Sequence, residues 1–156
     1  MKYLSNGARR NQLLICYLVV CLAFFFTACS NLPAEHAVVR AEGGEIKIPV
    51  PEVNDGKVHF FTYRKSGKRI NFFVRTDGTG ALSTYYDACF TCNKFKKGYR
   101  CEGTDLICNE CNLKFRLSDE HWDNSQGCSP IALKSNIDNA FVRIKAADLE
   151  KGQKLF

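Results

Sequence analysis

The sequence predicts a small, mainly β fold that relies on a metal site or on cross-links for part of its stability. Three observations predict this. Aromatic and β-branched runs alternate with Ser-Gly and Asp-Gly turns between residues 58 and 86. Six cysteines crowd into residues 89–128, and no long amphipathic helix follows residue 30. A chain of 156 residues has room for one modest domain and a targeting segment. With a loose, cysteine-rich third, that domain adds little core of its own.

The N-terminus reads as a targeting segment. Lys2, Arg9 and Arg10 stand in the first ten residues without an acid. The 14 residues from Leu13 to Phe26 are almost purely apolar, too few for a spanning helix, which needs about 20. The run closes on Phe26-Thr27-Ala28-Cys29. Positive, apolar and small-residue regions in this order make a signal peptide over residues 1–28. Its end resembles the lipobox of bacterial lipoproteins, in which the thiol of the closing cysteine takes a diacyl, palmitate-class anchor. Cys29 is then the lipidation site, and two or three acyl chains hold a protein stably where one does not. The alternative is an uncleaved anchor with Cys29 incidental. Arg9-Arg10 before Leu13-Leu14 also fits the charge of a twin-arginine signal, but Gln12 stands where that motif favours an apolar residue.

Only three of the 22 basic residues, and none of the 16 acidic ones, lie in residues 1–28, so the remaining 128 residues carry +3. So mild a charge gives no support to nucleic-acid binding, for which a clustered basic face is the signature. The Lys94, Lys96, Lys97 and Arg100 run is the one basic patch to weigh.

Residues 29–44 lack periodicity and read as a tether, with the domain following over 45–156. Glu45 to Val50 alternates as a short strand, and Pro49 marks it as an edge. Val58–Tyr63, Ile70–Arg75 and Ala81–Tyr86 then form a three-stranded antiparallel meander, with Ile70, Phe72 and Val74 on one face. Its last strand runs into Asp87-Ala88-Cys89 and so delivers the first cysteine motif. Phe141–Lys145 reads as a returning strand, and 146–151 as one helical turn before Gly152.

Residues 88–130 carry the chemistry. Cys89-Phe90-Thr91-Cys92-Asn93 and Cys108-Asn109-Glu110-Cys111-Asn112 repeat a Cys-x-x-Cys-Asn pattern, with 15 residues between Cys92 and Cys108. Such a turn points both sulfurs inward and its amides towards them. The residue after it needs positive φ, which asparagine tolerates. Two facing knuckles make a zinc-ribbon or rubredoxin-like tetrathiolate cage suited to zinc or iron. Cys101 and Cys128 complete the six, either as a further ligand from the Gly127-Cys128-Ser129-Pro130 loop or as a disulfide pair. Three bridges would be the ordinary arrangement of six exported thiols. A thioredoxin-like thiol–disulfide enzyme would need a helix opening at Cys89-x-x-Cys92, where Lys96-Lys97-Gly98-Tyr99 follows instead. Among the histidines, His36 falls in the tether and His59 in a strand, both as solvent or packing residues; His121, beside Trp122, is the one placed to reach a metal, and its ordinary reading is a loop residue. No acid–base pair, phosphate loop or nucleophile triad is visible, which argues for a carrier or binding protein over an enzyme.

Asp87-Ala88-Cys89-x-x-Cys92, Lys97-Gly98-Tyr99, Cys108-x-x-Cys111 and Gly127-Cys128-Ser129-Pro130 together resemble the FtrD-like family of membrane-associated iron–sulfur proteins, over roughly residues 57–156. The resemblance implies electron transfer beside bacterial ferrous-iron uptake systems, with components of such a system as partners. It implies Cys89, Cys92, Cys108, Cys111 and Cys128 as the thiols of an iron–sulfur or iron site, with structural zinc or a soft metal as the alternative. The sequence departs from the family at Cys101, where a polar residue is expected, and in the unusually polar stretch from Ser118 to Gln126. A lipid anchor also stands in place of the family's membrane helices, so the expected location is extracytoplasmic, at a bacterial membrane.

Overall fold

The computed structural model describes residues 36–122 and 127–156. The leader, Cys29 and the start of the expected tether lie outside the described residues. The rest of that segment differs from the expectation. β1 (Ala37–Val39) pairs in parallel with β3 (Val58–Lys65), Ala37 opposite Phe61 and Val39 opposite Tyr63. Neither its short length nor its distant partner leaves a local sequence signal.

The meander forms as read. β3 pairs with β4 (Lys68–Thr76), and β4 with β5 (Leu82–Cys89), both antiparallel. The first turn is Ser66-Gly67, with φ of 48° and 77°, the double positive φ that suits the twist of a two-residue hairpin. β9 (Pro130–Ala132) closes the sheet, whose order is β1-β3-β4-β5-β9.

β2 (Glu45–Pro49) lies at the edge of a second sheet, beside β11 (Phe141–Lys145) and β10 (Asn136–Ile137). The proline therefore costs no ladder hydrogen bond between neighbours on both sides. α1 (Ala146–Glu150) follows β11 directly and is a single short turn. Among the described residues no helix is long and apolar enough to cross a membrane.

Alternation on the central strands builds two cores. Ile70, Phe72 and Val74 of β4 join Tyr63, Tyr86, Ala88, Ile46, Ile48, Val142, Ile144 and Leu149 in the first. Phe73, between them in sequence, points to the second, with Tyr99, Leu106, Phe115, Leu117, Trp122, Cys89, Cys108 and Cys128. Fully burying one such aliphatic or aromatic side chain contributes about 1.5–3 kcal/mol, so the cysteine region carries a packed core of its own.

That region also contains a sheet the sequence reading lacked. β6 (Tyr99–Glu102), β7 (Asp105–Cys108) and β8 (Lys114–Arg116) are antiparallel, turned at Gly103 with φ 60°. Strands of three or four residues are too short to display a period of two.

Candidate metal centre

Three segments meet at the centre, each brought by a different piece of sheet. β5 ends at Cys89, where its pairing with β9 slips in register between Tyr85 and Cys89. Irregularities of this kind re-aim side chains at sheet ends. Cys89 pairs with Pro130, so the residues just before β9, Cys128 among them, arrive beside the first knuckle. β7 ends at Cys108 and supplies the second knuckle.

The knuckles differ in conformation despite their matching sequences. In the second, Asn112 takes φ 58° and its amide donates to Cys108 O at 3.0 Å, as the sequence suggests. In the first, Asn93 opens a 3-10 turn (Asn93–Phe95), and its side-chain Nδ2 donates to Phe90 O at 2.7 Å. The left-handed residue there is Lys96, at φ 56°. A 3-10 turn, not an α-helix, follows Cys92.

The sulfurs converge. Those of Cys89, Cys92, Cys108 and Cys128 all lie within 4.8 Å of one another, and three of these residues are buried. Cys92 Sγ is 3.4 Å from Cys128 Sγ, and Cys111 Sγ is 2.8 Å from the same atom. All six described thiols are free, so neither the three bridges nor a Cys101–Cys128 disulfide is formed. Cys128 joins the knuckles. Cys101 does not: it sits exposed on β6 and lines a separate open cleft of about 790 Å³ with Asp55, Lys57 and Arg116.

Amides and burial divide the thiols into two kinds. Burial alone would raise Cys89, but the Cys92 amide, 3.2 Å from its sulfur, leads a set of hydrogen bonds that holds it below the ordinary thiol range. Burial opposes Cys111 too, and bonds led by the Cys128 thiol and the Leu113 amide lower it. Cys92 is pushed up to about 12 by burial and by its thiol neighbours, chiefly Cys89. Cys108 and Cys128 are raised as well, burial being the main cause for both. The centre thus holds easily ionised and reluctant thiols side by side, and a cation is what would let all of them ionise together.

Residues around the thiols fix the geometry. Asp87, 5% exposed, accepts the Tyr99 amide at 2.7 Å. A Cβ on Gly98 would stand 2.5 Å from the same carboxylate, and Gly98 has φ 61°, so only glycine fits between Asp87 and the second knuckle. Gly98 O and Lys97 O accept the backbone and side-chain N–H of Asn109 at 3.0 and 2.8 Å. Tyr99 Oη donates to Cys128 O at 2.7 Å, Thr91 Oγ1 donates to Gly127 O, and the Phe90 amide donates to Ser129 O at 3.2 Å. Three hydrogen bonds therefore strap the Cys128 loop down. Arg100 reaches Asn109 Oδ1 at 3.1 Å and Asn112 Oδ1 at 3.4 Å, bracing the second knuckle.

Asp87, Gly98 and Tyr99 stand in the sequence only as parts of a pattern; the structure gives them positioning roles. Of the histidines, only His36 departs from the expectation. His121 is exposed. His36, expected in a solvated tether, is carried to Asp87, its Nε2 3.5 Å from the carboxylate, and stacks on Phe60 at 4.7 Å. His59 pairs with Asp55 at 2.7 Å. In the basic run, Lys97 pairs with Glu110 at 2.6 Å and Arg100 with Glu102 at 2.8 Å, while Lys94 lies over the Phe95 ring.

An all-sulfur pocket, lined by knuckle amides and seated on a β scaffold, defines the class: a thiolate metal-binding β protein. The model of the family described as membrane iron–sulfur containing protein, FtrD-like, matches residues 53–156, two-thirds of the chain. The chain belongs to that family. No curated protein and no solved structure matches it.

Proposed function

We propose that this protein is a lipid-anchored electron carrier that serves a metal-uptake system, most directly iron uptake, from the extracytoplasmic side of a bacterial membrane. The observation that carries this reading is the convergence of thiols from three chain segments beneath knuckle amides. The donor set fits iron: soft thiolates are what an iron–sulfur centre uses, and N–H groups aimed at sulfur tune its potential. Cys89, Cys92, Cys108 and Cys128 would hold the group, with Cys111 beside them, and iron there would supply one-electron reduction and oxidation. The chain's own residues supply access. Cys111 is exposed and Cys92 half-buried, so the centre lies close under the surface. Phe90, 71% exposed between the first two ligands, offers an apolar contact where a partner would dock. The absence of an acid–base pair in the sequence favours a carrier over an enzyme, and the Phe26-Thr27-Ala28-Cys29 ending supports the anchor.

The test is to purify the full chain anaerobically and titrate it with reductant while recording absorption and metal content. Iron with visible charge-transfer bands that bleach and return supports the proposal. Colourless protein that carries zinc would sink it. The compactness of the four sulfurs favours a second reading, a structural zinc or soft-metal module, because tetrahedral thiolate sites of that size also suit zinc.

A further inference from the structure

A single metal ion and a multi-iron cluster ask different things of their cysteines. Around one ion, four sulfurs form the corners of a tetrahedron. With metal–sulfur bonds of about 2.3 Å, each edge is about 3.8 Å. In a cluster each iron takes its own thiolates, and a core of iron and inorganic sulfide must fit between them, so sulfurs on different irons stand well apart.

The four sulfurs here lie within 4.8 Å of one another in every pairing, and the Cys92–Cys128 separation is 3.4 Å. That is the scale of one tetrahedron. The cavity beside them, bordered by Cys89, Cys92 and Cys108, has a volume of about 10 Å³, room for about one water. Asp87 and Gly98 also line it, and the Gly98 backbone cannot retreat without losing its 3.0 Å bond from the Asn109 amide.

The fifth thiol is accounted for by the same geometry. Cys111 Sγ stands 2.8 Å from Cys128 Sγ, well short of a tetrahedral edge, so these two sulfurs compete for one corner. Cys128 is buried and strapped by three hydrogen bonds, while Cys111 is exposed. Resting on the reading that these thiols bind metal, we infer that the centre holds one ion in the shell of Cys89, Cys92, Cys108 and Cys128, free of inorganic sulfide, with Cys111 as a spare thiol at the Cys128 corner.

The full chain, purified anaerobically, is assayed for iron, zinc and acid-labile sulfide per polypeptide. One metal per chain with no labile sulfide is expected. Two or more irons with matching sulfide would overturn the inference, even where the protein cycles electrons as proposed above. One zinc without sulfide would sink the electron-carrier reading and leave this one standing. Metal-free protein with bridged thiols would end both. The ligand assignment is tested with cobalt(II) in place of the native ion. Cys111→Ser keeps one cobalt per chain and the four-thiolate absorption pattern, whereas Cys128→Ser shifts to a three-sulfur pattern or loses the ion. Should Cys128→Ser fail to fold, the Cys111→Ser variant decides alone: loss of cobalt or of the four-sulfur pattern there overturns the assignment.

Discussion

Gly98→Ala is the most informative single change outside the cysteines. Its effect has two separable parts. Gly98 has φ 61°, and a residue bearing a Cβ in that region pays about 1 kcal/mol. The new Cβ would also lie 2.5–2.7 Å from the Asp87 carboxylate, which must move and release the Tyr99 amide. A hydrogen bond to a charged group is worth about 2 kcal/mol, so Gly98→Ala should cost about 3 kcal/mol in all. In an Asp87→Ala background the carboxylate is gone and only the backbone strain remains, about 1 kcal/mol. The double-mutant cycle should therefore show about 2 kcal/mol of coupling between the two positions. Urea unfolding followed by far-ultraviolet circular dichroism, at one fixed saturating metal concentration, measures all four corners. A Gly98→Ala cost below about 0.5 kcal/mol, or an equal cost in both backgrounds, would refute the reasoning.

Three further outcomes are expected. Cys101→Ser should leave the metal content unchanged while Cys108→Ser abolishes it, read by metal analysis of purified protein; metal loss from the first would place Cys101 in the cage. Arg75 is fully buried and donates to Leu117 O, Asp119 O and Glu120 O at 2.7–3.0 Å, with Cζ 4.0 Å from the Trp122 ring. Arg75→Met strands those carbonyls and should cost about 3 kcal/mol, with faster amide exchange and proteolysis across 117–122; unchanged stability would mean that the carbonyls find water. Asp77 is held below its ordinary value of 3.8, chiefly by the Thr79 hydroxyl and then, against burial, by the Thr79 and Ala81 amides. Its contribution is present above the unfolded value and is lost as pH falls through the lower folded value. The stability gap between the protein and Asp77→Asn should then be largest at neutral pH and close in acid, and a gap independent of pH would contradict it.

What the sequence made legible follows from range. The meander could be read because Ile70, Phe72 and Val74 alternate with polar or oppositely facing residues over a long strand, and its turns carry their own glycines. The four knuckle cysteines were legible because Cys-x-x-Cys is a local geometry. Asn112 obeyed the repeat; Asn93 did not, because its side chain bonds back to Phe90 O and shifts the left-handed position to Lys96. β1 was not legible, because its pairing partner lies more than twenty residues away and the pairing is parallel. For the same reason His36 was misplaced: only that pairing takes it to Asp87. The place of Cys128 could be guessed from its tight loop, but its choice over Cys101 is made by β9 pairing with β5.

Trp122 is the chain's single tryptophan, and it belongs to the core that contains Cys89, Cys108 and Cys128, in ring contact with Phe73, Tyr85 and Phe115. The opposite core, between β4 and β11, holds no indole. Fluorescence excited at the red edge of aromatic absorption therefore watches one side of the central sheet and is blind to the other. Emptying of the cage can be timed without interference from the outer sheet, and without an introduced label.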